Sequence, residues 1–108
     1  METKNLVRLC GYVAKDIESK QCQSGHRVAL RIATPDTSQG PDTGRPERAS
    51  WHDVIAWDGL ADQAMAEFTR GSKIEVEGRL AYRSYTGDDG LRRLFVFVKA
   101  HLLNHPEN

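Results

Sequence analysis

Two tryptophans, Trp51 and Trp57, stand six residues apart in "ASWHDVIAW" and are the only indoles of the chain. Along a strand, residues of equal parity share a face. Trp51, Asp53, Ile55 and Trp57 therefore point one way, and His52, Val54, Ala56 and Asp58 the other. At a strand rise of roughly 3.3 Å per residue the two rings stand about 20 Å apart. Each face has apolar members, so alternation leaves two readings open. The tryptophans are pillars of a core, where most indoles lie, or they form a platform whose π-faces take unstacked bases at about 1–3 kcal/mol per base. A platform needs cations beside it to hold phosphates. From Arg70 to Arg93 six Lys and Arg residues stand against four carboxylates, a mild excess. Within that run "YRSYTG" interleaves Tyr82, Arg83 and Tyr85, the mixture of aromatic and guanidinium that a single-strand groove uses. An ordinary solvated hairpin has the same composition.

Covalent chemistry has weaker support. His26, His52, His101 and His105 are dispersed. The last two could share a helical face, but so near the end they read as solvated tail residues. Asp88 and Asp89 lie in a glycine-bracketed turn, where aspartate is favoured for backbone reasons. There is no Gly-rich phosphate loop, no nucleophile elbow and no metal-ligand cluster. Cys10 and Cys22 match no common zinc spacing and read as reduced thiols. No enzyme, metal or cofactor is expected.

The elements that would position the aromatic and basic residues follow from periodicity. "NLVRLCGYV" alternates as a strand, with Gly11 suggesting a bulge or bend. The polar "KDIESKQCQSGH" continues it and turns at Ser24-Gly25, and "RVALRIAT" is a second strand, a hairpin partner of the first. Residues 35–50 contain three prolines, two glycines and no large apolar side chain, and are expected to form a long mobile loop. "WHDVIAW" is the third strand. In "DGLADQAMAEFTRG" the period changes: Leu60, Ala61, Ala64, Met65 and Phe68 make a helical face, with Asp58 a candidate N-cap and Gly71 a C-terminal glycine. "SKIEVEGRLAYR" returns to alternation, with Ile74, Val76, Leu80 and Tyr82 facing one way. After the "TGDDG" turn, "LRRLFVFVKA" sets Leu94, Val96 and Val98 against Phe95 and Phe97 on the opposite face. Residues 101–108 are expected to be a short tail. Five strands with one helix between the third and fourth is the plan of an all-β, Greek-key OB barrel; an open α+β sheet is the rival.

Composition sets the outer limits. At 108 residues the chain makes one domain, and 39% hydrophobic with 28% charged residues belongs to a globular protein. No apolar run reaches the roughly 18 residues that span a membrane, and "METKNLVRLCGY" lacks the apolar block of a secretory signal, so a cytoplasmic protein without a membrane partner is expected. The net charge is zero, so an affinity for polyanions has to come from where charges lie.

Taken together, "NLVRLCGYVAKDIE", "VALRIAT" and "WHDVIAWDGLADQAMAEFTRGSKIEVEGRLAYRSY" resemble the first strand, second strand and long central signature of the bacterial single-stranded DNA-binding proteins. The similarity covers roughly residues 5 to 100 and is most specific from Trp51 to Tyr85. It implies an OB fold and sequence-neutral binding of single-stranded DNA in replication, repair or recombination, in the bacterial cytoplasm at the nucleoid. The family's stacking aromatics fall on Trp51, Trp57 and Tyr85, with basic Arg83 beside the last; Arg79, Arg92 and Arg31 are the further candidates for phosphate neutralisation. A homotetramer is implied, with a dimer of two-domain chains in some branches. Two departures stand out. The family's aromatic after the second strand is matched by the aromatic-free "TPDTSQG", with Ser38 nearest. The acidic tip through which the family recruits replication and repair proteins is matched by "HPEN", so a short tailless form is expected. The alternative is an OB interaction module of the primosomal type, binding chiefly other proteins.

Overall fold

A computed structural model describes residues 2–23, 25–35 and 49–106. In chain order it contains β1 (Val7–Val13), β2 (Glu18–Cys22), β3 (Gly25–Pro35), β4 (Ala49–Trp57), α1 (Asp58–Glu67), β5 (Lys73–Thr86) and β6 (Arg92–Asn104). The sheet order is β1-β5-β6-β4-β3-β2, and β1 also pairs with β3. That last pairing turns the sheet into a ring, because β1 lies against β5 from Val7 to Tyr12 and against β3 at Tyr12 and Val13. Within the ring β4 and β6 meet in a parallel contact, Val54 opposite Val98 and Ile55 opposite Lys99; the other pairings among the described residues are antiparallel. The result is the expected OB barrel, with the helix between its third and fourth long strands.

Closure depends on a glycine. A Cβ on Gly11 would collide with the carbonyl oxygen of Ala33, so only a bare Cα lets β1 pass this close to β3. The bend expected at this residue is thus a close approach, and Gly11 keeps its place opposite Ile74 in the β1–β5 ladder. β5 and β6 change register at Glu77/Gly78. With Leu102 opposite Glu77 and Ala100 opposite Gly78, His101 is the extra residue on β6, and the inward phase passes from Val98 and Ala100 to Leu103.

The interior takes one pleat of each strand: Val28, Leu30 and Ile32 from β3, Val54 and Ala56 from β4, Ile74 and Val76 from β5. The helix packs on β3, β4 and β6 through Ala61 and Ala64, and Phe68, just past its end, is 2% exposed. Gln63 Nε2 donates to the Leu103 carbonyl at 2.9 Å, tying the helix to β6.

Several local expectations are corrected. The polar segment after β1 is a separate strand, β2, paired with β3. Asp58 does not cap the helix. It has a positive φ of 51°, tolerable for aspartate, and its Oδ1 accepts the His26 N–H at 3.3 Å. Met65 is exposed and leaves the helical stripe. Gly71 has a φ of 93° but serves the turn after the helix, donating its N–H to the Val13 carbonyl at 2.8 Å. Residues 101–104 continue β6, with Leu103 in the core, so the tail begins later than its polarity suggests. Most of the expected loop, residues 36–48, lies outside the described residues, while Pro35, Ala49 and Ser50 are paired in β3 and β4.

Candidate nucleic-acid interface

The pleat opposite the core is where the candidate side chains gather. On β4 it carries Trp51, Asp53, Ile55 and Trp57, and the cross-strand partners on β3 are Ala33, Arg31, Ala29 and Arg27 in that order. Val54 and Ala56, on the other pleat, are fully buried, which decides between the two readings of the tryptophans. Trp51 is 55% exposed and Trp57 half-buried, so both indoles look outward and neither is a pillar of the interior.

Small and cationic residues alternate along the outer pleat of β3, and this governs how the rings are held. The Arg27 guanidinium lies 5.7 Å from the Trp57 ring centroid, and that of Arg31 lies 5.8 Å from Trp51. Both are within cation–π reach, about 0.5–1 kcal/mol at exposed sites. Arg31 also donates to Asp53 at 3.1 Å, a half-exposed ion pair that satisfies part of its charge.

The long β5–β6 arm extends the same face. Registers of Ala81 opposite Phe97, Arg83 opposite Phe95 and Tyr85 opposite Arg93 set these six residues on one pleat, with Arg79 opposite Lys99 further down. Lys99 is in turn the β6 partner of Ile55, so the arm joins the tryptophan face directly. Tyr85 is 49% exposed. Arg92 is opposite Thr86 and falls on the other pleat; it is the one candidate that the strand phase separates from the rest. Arg93 takes its place on the aromatic pleat, paired with Asp89 of the turn. Trp51, Trp57, Tyr85, Arg83, Arg79 and Arg31 thus lie on one continuous surface. Ser38 lies outside the described residues.

Periodicity alone missed Phe95, Phe97, Arg27 and Lys99. The alternation of "LFVFV" had separated the phenylalanines from Val98. What was lacking was the β4–β6 contact, a parallel pairing between distant segments, which brings that face beside Trp57. Both phenylalanines are half-buried and stacked, with ring centroids 5.4 Å apart.

The histidines lie elsewhere and have structural partners. His26 Nδ1 meets Asp62 at 2.9 Å and its Nε2 meets Ser19 at 2.6 Å, joining the β2–β3 hairpin to the helix. His52 meets the Thr34 hydroxyl at 2.9 Å. His101 and His105, expected as solvated tail residues, are engaged: His105 stacks on Phe68 at 4.4 Å and meets Glu67 at 2.9 Å, while His101 meets Glu77 at 3.0 Å. Hydrogen bonds from His101 and from Arg8 hold the Glu77 carboxyl below its ordinary range, and the Arg8 guanidinium is raised in return. Cys10 and Cys22 are free thiols.

Comparison with known proteins agrees with the fold. The single-strand binding protein family matches residues 4–104. The Single-stranded DNA-binding protein 1 of Xylella fastidiosa is 35% identical over 102 residues, covering 93% of this chain and 75% of that protein. The Single-stranded DNA-binding protein of Xanthomonas axonopodis pv. citri is 33% identical over 98 residues, covering 90% of this chain; the chain spans only 54% of that relative's length. Among solved structures, the Plasmodium falciparum SSB in complex with ssDNA superposes with a TM-score of 0.80 at 16% identity, covering 99% of this chain and 98% of that one.

Proposed function

The chain belongs to the single-strand binding protein family, and from that premise we propose that its outer sheet face binds single-stranded DNA without sequence preference. The observation that carries the proposal is the outward placement of Trp51 and Trp57 on the pleat opposite a fully formed core. An exposed indole flanked by an arginine offers a base a π-face and its phosphate a cation. Trp51, Trp57 and Tyr85 would stack bases, and Arg31, Arg79 and Arg83 would neutralise phosphates. Arg92, at the tip of the arm, would meet the strand only where it wraps past the hairpin. Stacking reads no base edge, so the binding is sequence-neutral. Such a protein would cover exposed strands during replication, repair or recombination in the bacterial cytoplasm.

The proposal includes self-association, as a homotetramer. The core-side pleat of the β5–β6 arm continues past the barrel and leaves Leu80, Tyr82, Leu94 and Val96 between 37% and 62% exposed. A contiguous apolar strip of this kind is suited to burial against another copy.

Titration of the protein with an oligo-thymidine strand tests the central reading, with intrinsic tryptophan emission followed at two salt concentrations. Quenching is expected, with an affinity that falls as salt rises because phosphate contacts release counterions. Unchanged emission, together with unchanged anisotropy of an end-labelled strand, refutes it.

A further inference from the structure

Between the two halves of the outer face lies a cleft of about 200 Å³, in which the candidates Trp57 and Arg83 are joined by five residues outside the candidate set. One wall comes from β3 and β4 and consists of Arg27, Ala29, Ile55 and Trp57; the other comes from the β5–β6 arm and consists of Arg83, Phe95 and Phe97. The cleft has a topological cause. β4 and β6 pair only at Val54–Val98 and Ile55–Lys99. Where pairing stops, the space between the walls is bounded by aromatic rings. Ile55 is 8% exposed although it sits on the outer pleat, as befits the floor of such a space.

The lining narrows the choice of occupant. Five of the seven residues are apolar or aromatic, the other two are arginines, and there is one arginine on each wall. No carboxylate, amide or hydroxyl side chain is among them. An apolar peptide anchor would fill the middle but leave both guanidiniums without an anion. A flat heterocycle carried on an anionic backbone satisfies both parts at once.

We propose that this cleft receives one base of the bound strand, turned into the sheet between Trp57 and the Phe95–Phe97 pair, with its flanking phosphates on Arg27 and Arg83. The inference rests on the single-strand-binding reading above and adds a subsite to it. With both arginines given to the flanking phosphates and no carboxylate, amide or hydroxyl side chain in the lining, no acceptor side chain reads the base edge, and the subsite is indifferent to which base enters. It also supplies stacking surface on a chain whose segment after β3 lacks an aromatic.

The test uses Trp51→Phe protein, in which Trp57 is the sole indole and reports on the cleft. It is titrated with an end-labelled oligo-thymidine and with an abasic strand of equal length. Anisotropy measures binding and emission measures occupancy. The thymidine strand is expected to quench Trp57, and the abasic strand to bind more weakly and leave the emission unchanged. Adding Phe95→Leu and Phe97→Leu should weaken thymidine binding about five-fold or more, the lower end for loss of one stacked base, with abasic binding unaltered. Ala29→Leu, which fills the cleft without removing a ring, should act the same way and serves if the double variant does not fold. Parental affinity and quenching in the folded cleft variants overturn the subsite alone, as does an equal loss for both strands. Failure of the unmodified chain to bind the thymidine strand overturns the subsite and the function together.

Discussion

Truncation of Trp51 to alanine separates a binding platform from a core pillar, because the two give opposite orderings of stability and affinity losses. The ring is 55% exposed. Full burial of an aromatic side chain removes about 150–250 Å² from water, so a little under half of that is at stake. At about 25 cal/mol per Å² this gives a ceiling of about 2–3 kcal/mol, high because the unfolded chain already covers part of its surface. Part of the cover is the Arg31 guanidinium, which keeps its carboxylate partner Asp53 after the truncation. A stability loss of about 2 kcal/mol or less is therefore expected in urea unfolding. A buried tryptophan cut to alanine would cost about 3–5 kcal/mol. Affinity for oligo-thymidine should move further, by about 1–3 kcal/mol for one lost stacking partner, or about 5- to 150-fold. A loss of about 4 kcal/mol in stability with unchanged affinity would refute the reasoning.

Three further outcomes are expected. Gly11→Ala should destabilise the domain by about 3 kcal/mol or more in urea, since its Cβ meets backbone and not a side chain that can swing away; a wild-type midpoint would show that β1 can shift without opening the β1–β3 seam. Asp53→Asn removes the carboxylate that occupies Arg31 at 3.1 Å. It should raise oligonucleotide affinity and steepen the logarithmic salt dependence by up to about 1, whereas weaker binding would mean that Asp53 is needed to position Arg31. Glu77, held below its ordinary value of 4.5 in the fold, contributes stability that is fully present above that value and is lost as pH falls through the lower folded one. The stability difference between wild type and Glu77→Gln should accordingly shrink on acidification below 4.5, and growth of that difference would contradict the assigned hydrogen bonds.

Alternation made the barrel legible because strands with one buried pleat write that pleat into every second residue. Val28, Leu30 and Ile32 could be grouped without any knowledge of their partners, and so could the shared face of Trp51 and Trp57. What alternation does not encode is which of two mixed faces is inside. That was set by β4 lying between β3 and β6, whose contributions to the interior are also on the Val54 side. The parallel β4–β6 contact joins segments more than forty residues apart, and no local signal marks it. Phe95 and Phe97 were therefore visible as a pair but not as neighbours of Trp57. The extension of β6 through 101–104 was hidden by the extra residue at His101, which breaks the period just before Leu103 turns inward.

The charge of the outer face explains why the aromatics must dominate there. Arg31 is paired with Asp53 and Arg93 with Asp89, while Arg27 lies over an indole. Three of the guanidiniums on this face, those of Arg27, Arg31 and Arg93, are thus already partly satisfied. Each phosphate that displaces such a carboxylate exchanges one ion pair for another, and the net gain is smaller than for a free cation. On Trp51 the competing contact is the Arg31 guanidinium over the ring, about 0.5–1 kcal/mol, and the residue is 55% exposed. The salt dependence of binding should therefore be shallow for a protein of this family size, and substitutions of aromatic residues should cost more than substitutions of single arginines. A steep salt slope, surviving Trp51→Ala, would reverse that ranking and assign the affinity to phosphate contacts instead.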